Sequence, residues 1–310
     1  MDRPQGPTAP PPSCPSIERG MSFEEVEVLS AKFADFIQRV GKELRHPCWT
    51  TATATILFHR YYTVKAFSDT DPFLVAFAAC FLAGKVEDTP KKLKDSLLVM
   101  DKLRLQATGN QGTSLPAKKT EDDPRYRELK EQVVKAELGL MKTLRFDLNV
   151  EHAYKHVLQY AMQAGGERDL AQTAWNFSND LLRTRLCVQF RAKALAAGAV
   201  FLAAKFLKPK YDTLFSTKFP ALYEDADTDI TEIEDIANQI LDLYERGASA
   251  PTAPSKAGTD GTASTGGNSA GAHNSPTSQR DTNWREKERD ERNKQHRDER
   301  RSRPYHRDIL

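Results

Sequence analysis

Cysteine is scarce in this chain of 310 residues: there are four, Cys14, Cys48, Cys80 and Cys187, and no two form a CxxC pair. That excludes a disulfide-stapled scaffold and zinc sites built on paired cysteines. Cys80 and Cys187 stand in apolar helical context and read as reduced, buried small hydrophobes of an intracellular protein. No run of about 18 apolar residues occurs, so no membrane span is expected. The first twenty residues are rich in proline and lack an apolar h-region, so no secretory leader is expected either. Neither sign of charge is in excess: 45 Lys and Arg face 43 Asp and Glu, a net charge of +2. That balance argues against a nucleic-acid binder for the chain as a whole.

Catalytic and cofactor motifs are missing as well. There is no P-loop and no GxGxxG, and no cofactor is expected. His152 and His156 have metal-site spacing on a helix, but no glutamate follows the first of them, so metal binding is not expected. His296, Arg297 and Asp298 spell a kinase catalytic-loop tripeptide, yet the asparagine required after them and the companion kinase motifs are absent. Nothing pairs a nucleophile with a base. A binding or regulatory protein is expected rather than an enzyme.

What is present is helical periodicity, with 39% apolar residues to build a sizeable core. Residues 1–21 carry six prolines and read as a disordered arm. Ser22 followed by Glu25 has the capping-box pattern, and it opens a helix over Ser22–Leu44. Helices follow at Thr50–Phe67, from Asp71-Pro72, at Lys91–Leu105 and at Arg125–Phe146, with Gln106–Pro124 as a long surface loop. After a link at Asp147–Val150, helices recur at Glu151–Ala164, Arg168–Arg183, Arg191–Lys208 and Thr231–Tyr244, with Tyr211–Phe219 short and irregular. Gly247–Ser278 is a Gly/Ser/Thr/Ala linker. Arg280–Asp308 is a dense mixture of both charges that reads as a solubilising tail, with weak contact to RNA or partner proteins as the alternative.

The stretch Phe77–Pro90 organises this layout. Phe77, Phe81 and Leu82 recur at helical spacing, and Lys85 projects from the same stripe. Downstream, Glu137 stands four residues after Val133 and three before Leu140, on the apolar face of its own helix. Two helices thus each bury one charge, of opposite sign. The two charges either form an internal salt bridge or make a rigid polar pair presented to another protein. Phe81–Lys85 (FLAGK) recurs as Phe201–Lys205 (FLAAK), offset by 120 residues, with alanines matching at 76/196 and 79/199. Small residues on several sides suit a helix surrounded by others. The expected fold is all-α, with two tandem five-helix bundles over 22–147 and 148–246 and a linker and tail over 247–310.

These residues resemble a known family. The doubled bundle with its lysine-bearing core helix is similar to the cyclin fold. Leu82–Lys92 (LAGKVEDTPKK), Phe58–Tyr62 (FHRYY) and Leu144–Leu148 (LRFDL) resemble the transcriptional cyclins of the K/T/L group. The strings Val150–Tyr154, Gln172–Trp175 and Gln239–Tyr244 stand nearest its K branch, and the likeness covers about Ser22–Gly247. The resemblance implies a non-catalytic subunit that binds and activates a cyclin-dependent kinase. Lys85 and Glu137 would contact the kinase around its αC helix, with Met141, Phe146 and Leu148 packing against that helix. It further implies phosphorylation of the RNA polymerase II C-terminal domain by the bound kinase, in the nucleus. Cell-cycle cyclins carry a Met-Arg-Ala-Ile-Leu patch on their first helix. Here the aligned residues are Leu29–Phe33 without the arginine, so docking of Arg-x-Leu substrates is not expected. A general transcription factor on the same doubled bundle would call for a basic face and an N-terminal zinc ribbon, which the isolated cysteines and balanced charge do not supply.

Overall fold

Order begins earlier than the proline content suggests. In the computed structural model, which describes residues 14–109, 112–116, 120–165, 168–207, 211 and 219–249, Pro15–Glu18 forms a short helix, α1. Pro15 occupies its first turn, where a missing N–H costs nothing. Cys14 joins the core, and the buried Ser16 Oγ accepts a 2.9 Å hydrogen bond from Phe67 N. Arg19 pairs with Asp69, which holds that carboxyl below the usual range. Residues 14–20 of the expected disordered arm are therefore packed onto the fold. Residues 1–13 lie outside the described residues, as do the linker and tail from 250 onward.

The first bundle comprises α2 (Phe23–Glu43), α3 (Cys48–Val64), α4 (Pro72–Val86), α5 (Leu93–Thr108) and α6 (Pro124–Thr143). The expected capping box starts α2: Glu25 N donates to Ser22 Oγ at 3.1 Å and Ser22 N donates to Glu25 Oε2 at 2.7 Å. Such a cap contributes about 1 kcal/mol. At the centre lies α4, packed against α2, α3, α5 and α6. Ala76, Phe77, Ala78, Ala79 and Ala83 are fully enclosed there. Phe36 stacks on Phe77 at 5.8 Å and meets Phe73 edge-on at 5.1 Å.

The threonines of α3 are poor helix formers, and tertiary partners hold them. Thr53 Oγ1 donates to Glu87 Oε1 at 2.6 Å, and Thr50 Oγ1 lies 3.0 Å from Thr89 Oγ1. Between α5 and α6 the chain is less of a loop than its composition implies. The helix runs on through Thr108 to Gly109, whose φ of +64° ends it in the left-handed region. Leu115 is then buried, with its N–H donating to Asp101 Oδ2 at 2.9 Å.

The second bundle comprises α7 (Ala153–Gln163), α8 (Arg168–Leu181), α9 (Leu186–Gln189), α10 (Ala192–Phe206), α11 (Phe219–Ala226) and α12 (Ile230–Ser249). The short α9 and α11 are absent from the periodicity because four to eight residues give too few turns to register. Of the segment read as short and irregular, Tyr211 is buried and its hydroxyl donates to Asp169 Oδ1 at 2.6 Å, while residues 212–218 lie outside the described residues. Central here is α10, packed against α7, α8, α11 and α12. At Gly198 a Cβ would fall 2.5 Å from Ile236 Cγ2, so only glycine lets α12 come this close.

Buried apolar residues form one cluster in each bundle. A third cluster, Ala52, Ile56, Tyr154 and Leu182, joins them. Across the same seam the buried His59 donates from Nε2 to the Leu182 carbonyl at 3.0 Å, and Arg60 Nη1 donates to the Asn149 carbonyl at 2.9 Å. Burial pushes the His59 pKa from 6.5 down to about 4, assisted by Arg185 and opposed by the Leu182 carbonyl bond.

Two predictions follow from this packing. Gly198→Val is expected to destabilise the protein by about 1–3 kcal/mol through overpacking against Ile236, read as a lower urea midpoint. His59 is neutral when folded, and the unfolded chain takes up its proton first. Stability is therefore held above pH 6.5 and falls as pH drops from 6.5 toward 4. His59→Gln should unfold more easily at pH 7.5 yet show a shallower loss of stability across that window than the parent. Parallel slopes would refute the assignment.

Candidate partner-docking site

The string Lys85–Pro90 forms a bracket at the C-terminal end of α4. Asp88 has a φ of +52°, and Thr89 N donates back to the Gly84 carbonyl at 2.9 Å, which closes the helix. At Gly84 a Cβ would lie 3.3 Å from both His46 Cε1 and the Thr89 carbonyl oxygen, so the returning chain needs a small residue there. Glu87 faces inward to Thr53, whose Oγ1 also lies 2.9 Å from His152 Nε2. His152 itself sits 3.7 Å from Glu87. Burial lowers the His152 pKa, against the pull of Glu87. The bracket thus fixes both the end of α4 and the start of the link into the second bundle.

Lys85 emerges from this bracket. Its Nζ lies 2.7 Å from Glu137 Oε1 and 4.3 Å from the centre of the Phe81 ring. The Glu137 side chain is only 8% exposed, whereas that of Lys85 is 48% exposed. The expectation that both charges are buried is therefore corrected for Lys85. α4 ends at Val86, so Lys85 stands in its last turn. The cation stands at the rim, favoured by the carboxyl end of its helix and held by a nearly enclosed carboxylate. The groups are close together, and they are not sealed inside.

Apolar side chains follow along α6 and past its end. Met141 and Leu148 are half-buried and pack on the first core. Phe146 is 62% exposed. Its position follows from how α6 ends: Phe146 N donates to the Met141 carbonyl at 2.8 Å with Arg145 at φ +54°, a Schellman closure. Phe146 is itself left-handed at φ +61°, a conformation the closure does not require of it, which costs of order 1 kcal/mol for a non-glycine residue. Val134 and Leu138 are also exposed. With Met141 they are spaced by four and three residues, so they line one side of α6. That pair was missing from the sequence-based site, although the spacing was present to find it. A groove bounded by Val64, Leu144, Arg145 and Asp147 adjoins Phe146.

The arrangement offers an apolar strip bordered by a fixed cation with free hydrogen-bonding capacity, suited to an amphipathic helix and its backbone carbonyls. It offers no nucleophile–base pair. Among the described residues no three His, Cys, Asp or Glu side chains gather to hold a metal ion, and no helix is long and apolar enough to cross a membrane. The second bundle repeats the contact of lysine with ring: Lys205 Nζ lies 5.4 Å from the Phe201 ring.

Comparison with known proteins gives the following likenesses. Residues 24–149 match the family described as "Cyclin, N-terminal domain". Cyclin-T1-5 of Arabidopsis thaliana is 37% identical over 257 residues, covering 83% of this chain and 42% of that protein. Human Cyclin-K is 35% identical over 223 residues (69% and 36%), and human Cyclin-L1 is 32% identical over 244 (75% and 43%). The chain spans less than half the length of these relatives, and the narrow range of identities does not single out the K branch. Among solved structures, a chain of the yeast RNA Pol II CTD kinase CTDK-1 complex superposes with a TM-score of 0.58 at 21% identity, covering 72% of this chain and 67% of that one. A chain of the Chaetomium thermophilum CAK complex bound to ATP-gamma-S gives 0.53 at 17% identity (72% and 65%). At those identities the likeness is one of fold.

If Phe146 serves a partner and not the core, Phe146→Ala should shift folding stability by no more than about 0.5 kcal/mol. Phe77→Ala should cost about 3–5 kcal/mol. Chemical denaturation of both variants checks this, and a large loss for Phe146→Ala would make the residue structural.

Proposed function

Because the chain belongs to the cyclin family, in the K/T/L group of transcriptional cyclins, we propose that it is the regulatory subunit that binds and activates a cyclin-dependent kinase. The observation that carries this reading is the half-exposed Lys85 locked to the buried Glu137, with Phe146 exposed just past the end of the helix that bears Glu137. In this role Lys85, Glu137, Met141, Phe146 and Leu148 receive the kinase's αC helix. Exposed apolar side chains at the rim of such a polar pair are where binding energy concentrates once water is excluded.

The contribution to catalysis is positional. Docking holds αC inward, so that its glutamate reaches the kinase's β3 lysine and the ATP phosphates are aligned. Lys85 is pre-organised by Glu137, so little side-chain freedom is lost on binding. The two bundles, taken as 22–147 and 148–246, are the two cyclin boxes, and the first carries the docking face.

The complex acts, on this reading, in the nucleus on the C-terminal domain of RNA polymerase II, promoting elongation. The K, T and L relatives and the fold shared with a chain of a polymerase-tail kinase complex support that choice. The charged tail, with its alternative of RNA contact, lies outside the described residues.

Charge reversal tests the reading. Glu137→Arg and Lys85→Glu are expected to lower kinase capture, and phosphorylation of a polymerase tail peptide, by about tenfold or more, while helical circular dichroism is retained. Kinase binding unchanged in both variants would place the docking face elsewhere. Loss of helicity in both would make the pair internal and structural.

A further inference from the structure

The loop that closes α4 carries a hydroxyl that partner docking does not use. Residues 87–92 form no helix or strand; Asp88, Pro90 and Lys92 are exposed there, and Thr89 is half-buried. Thr89 precedes Pro90, and no other Ser or Thr among the described residues precedes a proline. Proline lacks an N–H and biases the residue before it toward extended backbone, the shape in which a peptide threads past an active site. Lys91 and Lys92 follow. Their charge favours approach to an active site loaded with a nucleoside triphosphate.

Thr89 is also a joint of the bracket. Its Oγ1 lies 3.0 Å from Thr50 Oγ1 and 3.4 Å from His46 Nδ1. Thr50 is buried in the first turn of α3. Glu87 N and Thr89 N donate to the Ala83 and Gly84 carbonyls, each at 2.9 Å. The Thr89 side chain is thus turned inward by a few contacts between neutral groups, which local opening of the loop can break. A phosphate on Oγ1 would bar the return. It carries a charge of about −1.5 to −2 and three oxygens. Burying that charge against the uncharged Thr50 hydroxyl is costly, and Glu87, two residues earlier, repels it.

We propose that Thr89 is a phosphorylation site for a proline-directed kinase, and that its phosphate opens the bracket at the end of α4. In the transfer, Thr89 Oγ1 attacks the γ-phosphorus of ATP and a new P–O bond forms. The bond from that phosphorus to the β,γ-bridging oxygen breaks, ADP leaves, and the hydroxyl proton passes to the kinase's catalytic carboxylate. Opening frees the last turn of α4, on which Lys85 stands, so partner docking loses pre-organisation. Only this last consequence rests on reading Lys85 as a docking residue.

The full chain is incubated with a purified proline-directed kinase and ATP, beside a peptide of residues 84–95 that reports the kinase's action on the bare sequence. Mass spectrometry is expected to find phosphate on Thr89 in both, and Pro90→Ala, with helical circular dichroism retained, should abolish it. In the phosphorylated chain, amide hydrogen exchange at Glu87 and Thr89 should quicken by about tenfold or more, and phosphatase treatment should reverse this. Thr89→Val taken through the same treatment controls for phosphate added at Ser275, which also precedes a proline, and its exchange at these positions should not respond. Capture of a cyclin-dependent kinase should weaken about threefold to tenfold on phosphorylation of Thr89. Absent capture by the unmodified chain, with exchange still quickened by phosphate, would count against the docking reading and for the Thr89 assignment. The proposal is overturned by an unmodified peptide, by phosphate on the peptide but not on Thr89 of the chain, or by undiminished modification of Pro90→Ala. Unchanged exchange in the phosphorylated chain, or capture as strong with phosphate as without it, overturns it equally.

Discussion

How closely other helices can approach α4 controls the geometry of the Lys85–Glu137 pair. Leucine or isoleucine at 76, 78, 79 and 83 would push α2, α3 and α6 outward by the width of a side chain. With alanine there, α6 comes near enough for the Glu137 carboxylate to reach an ammonium at the end of α4 at 2.7 Å. Close packing of this kind is rigid, because interiors pack like organic crystals and tolerate little displacement. The polar pair is therefore a fixed feature, set by backbone distance and not by the flexibility of Lys85.

The bracket after α4 extends that rigidity into the second bundle. Glu87, Thr53 and His152 bring together three parts of the chain that are far apart in sequence. Next to them, Tyr154 stacks on Trp175 at 4.5 Å and its hydroxyl donates to Asn179 Oδ1 at 2.8 Å. His59 reaches Leu182 across the same seam. Buried polar links of this kind add less to net stability than apolar contacts, but each is costly to break, so they fix one relative placement of the bundles. A cleft along α2 depends on that placement, since Arg183, Thr184 and Leu243 on its walls belong to the second bundle.

Much of the fold was legible because long amphipathic helices advertise themselves. The Ser22 cap, the 3.6-residue stripe of α2 and the repeated FLAGK/FLAAK string all report local physics. What misled was composition: prolines hid α1, and Gly, Thr and Lys hid the buried Leu115. In each case a few tertiary contacts outweighed local propensity. For the candidate site, the sequence offered spacing and the resemblance. Lys85 and Glu137 fell on facing stripes, and Met141, Phe146 and Leu148 were expected from the resemblance. Val134 and Leu138 were lost because an exposed apolar residue on a helix does not stand out until its neighbours are known.

Sequence by itself determined which side chains could meet: helical period places Lys85 and Glu137 on inward stripes, and a charge on such a stripe needs a partner. Only the tertiary structure decided how much water each would see. α4 stops one residue after Lys85 and leaves it at the rim, while Glu137 lies mid-helix on the face of α6 that packs against α4 and is nearly enclosed. Burial depends on where neighbouring elements end in space, and no pattern along one helix encodes that.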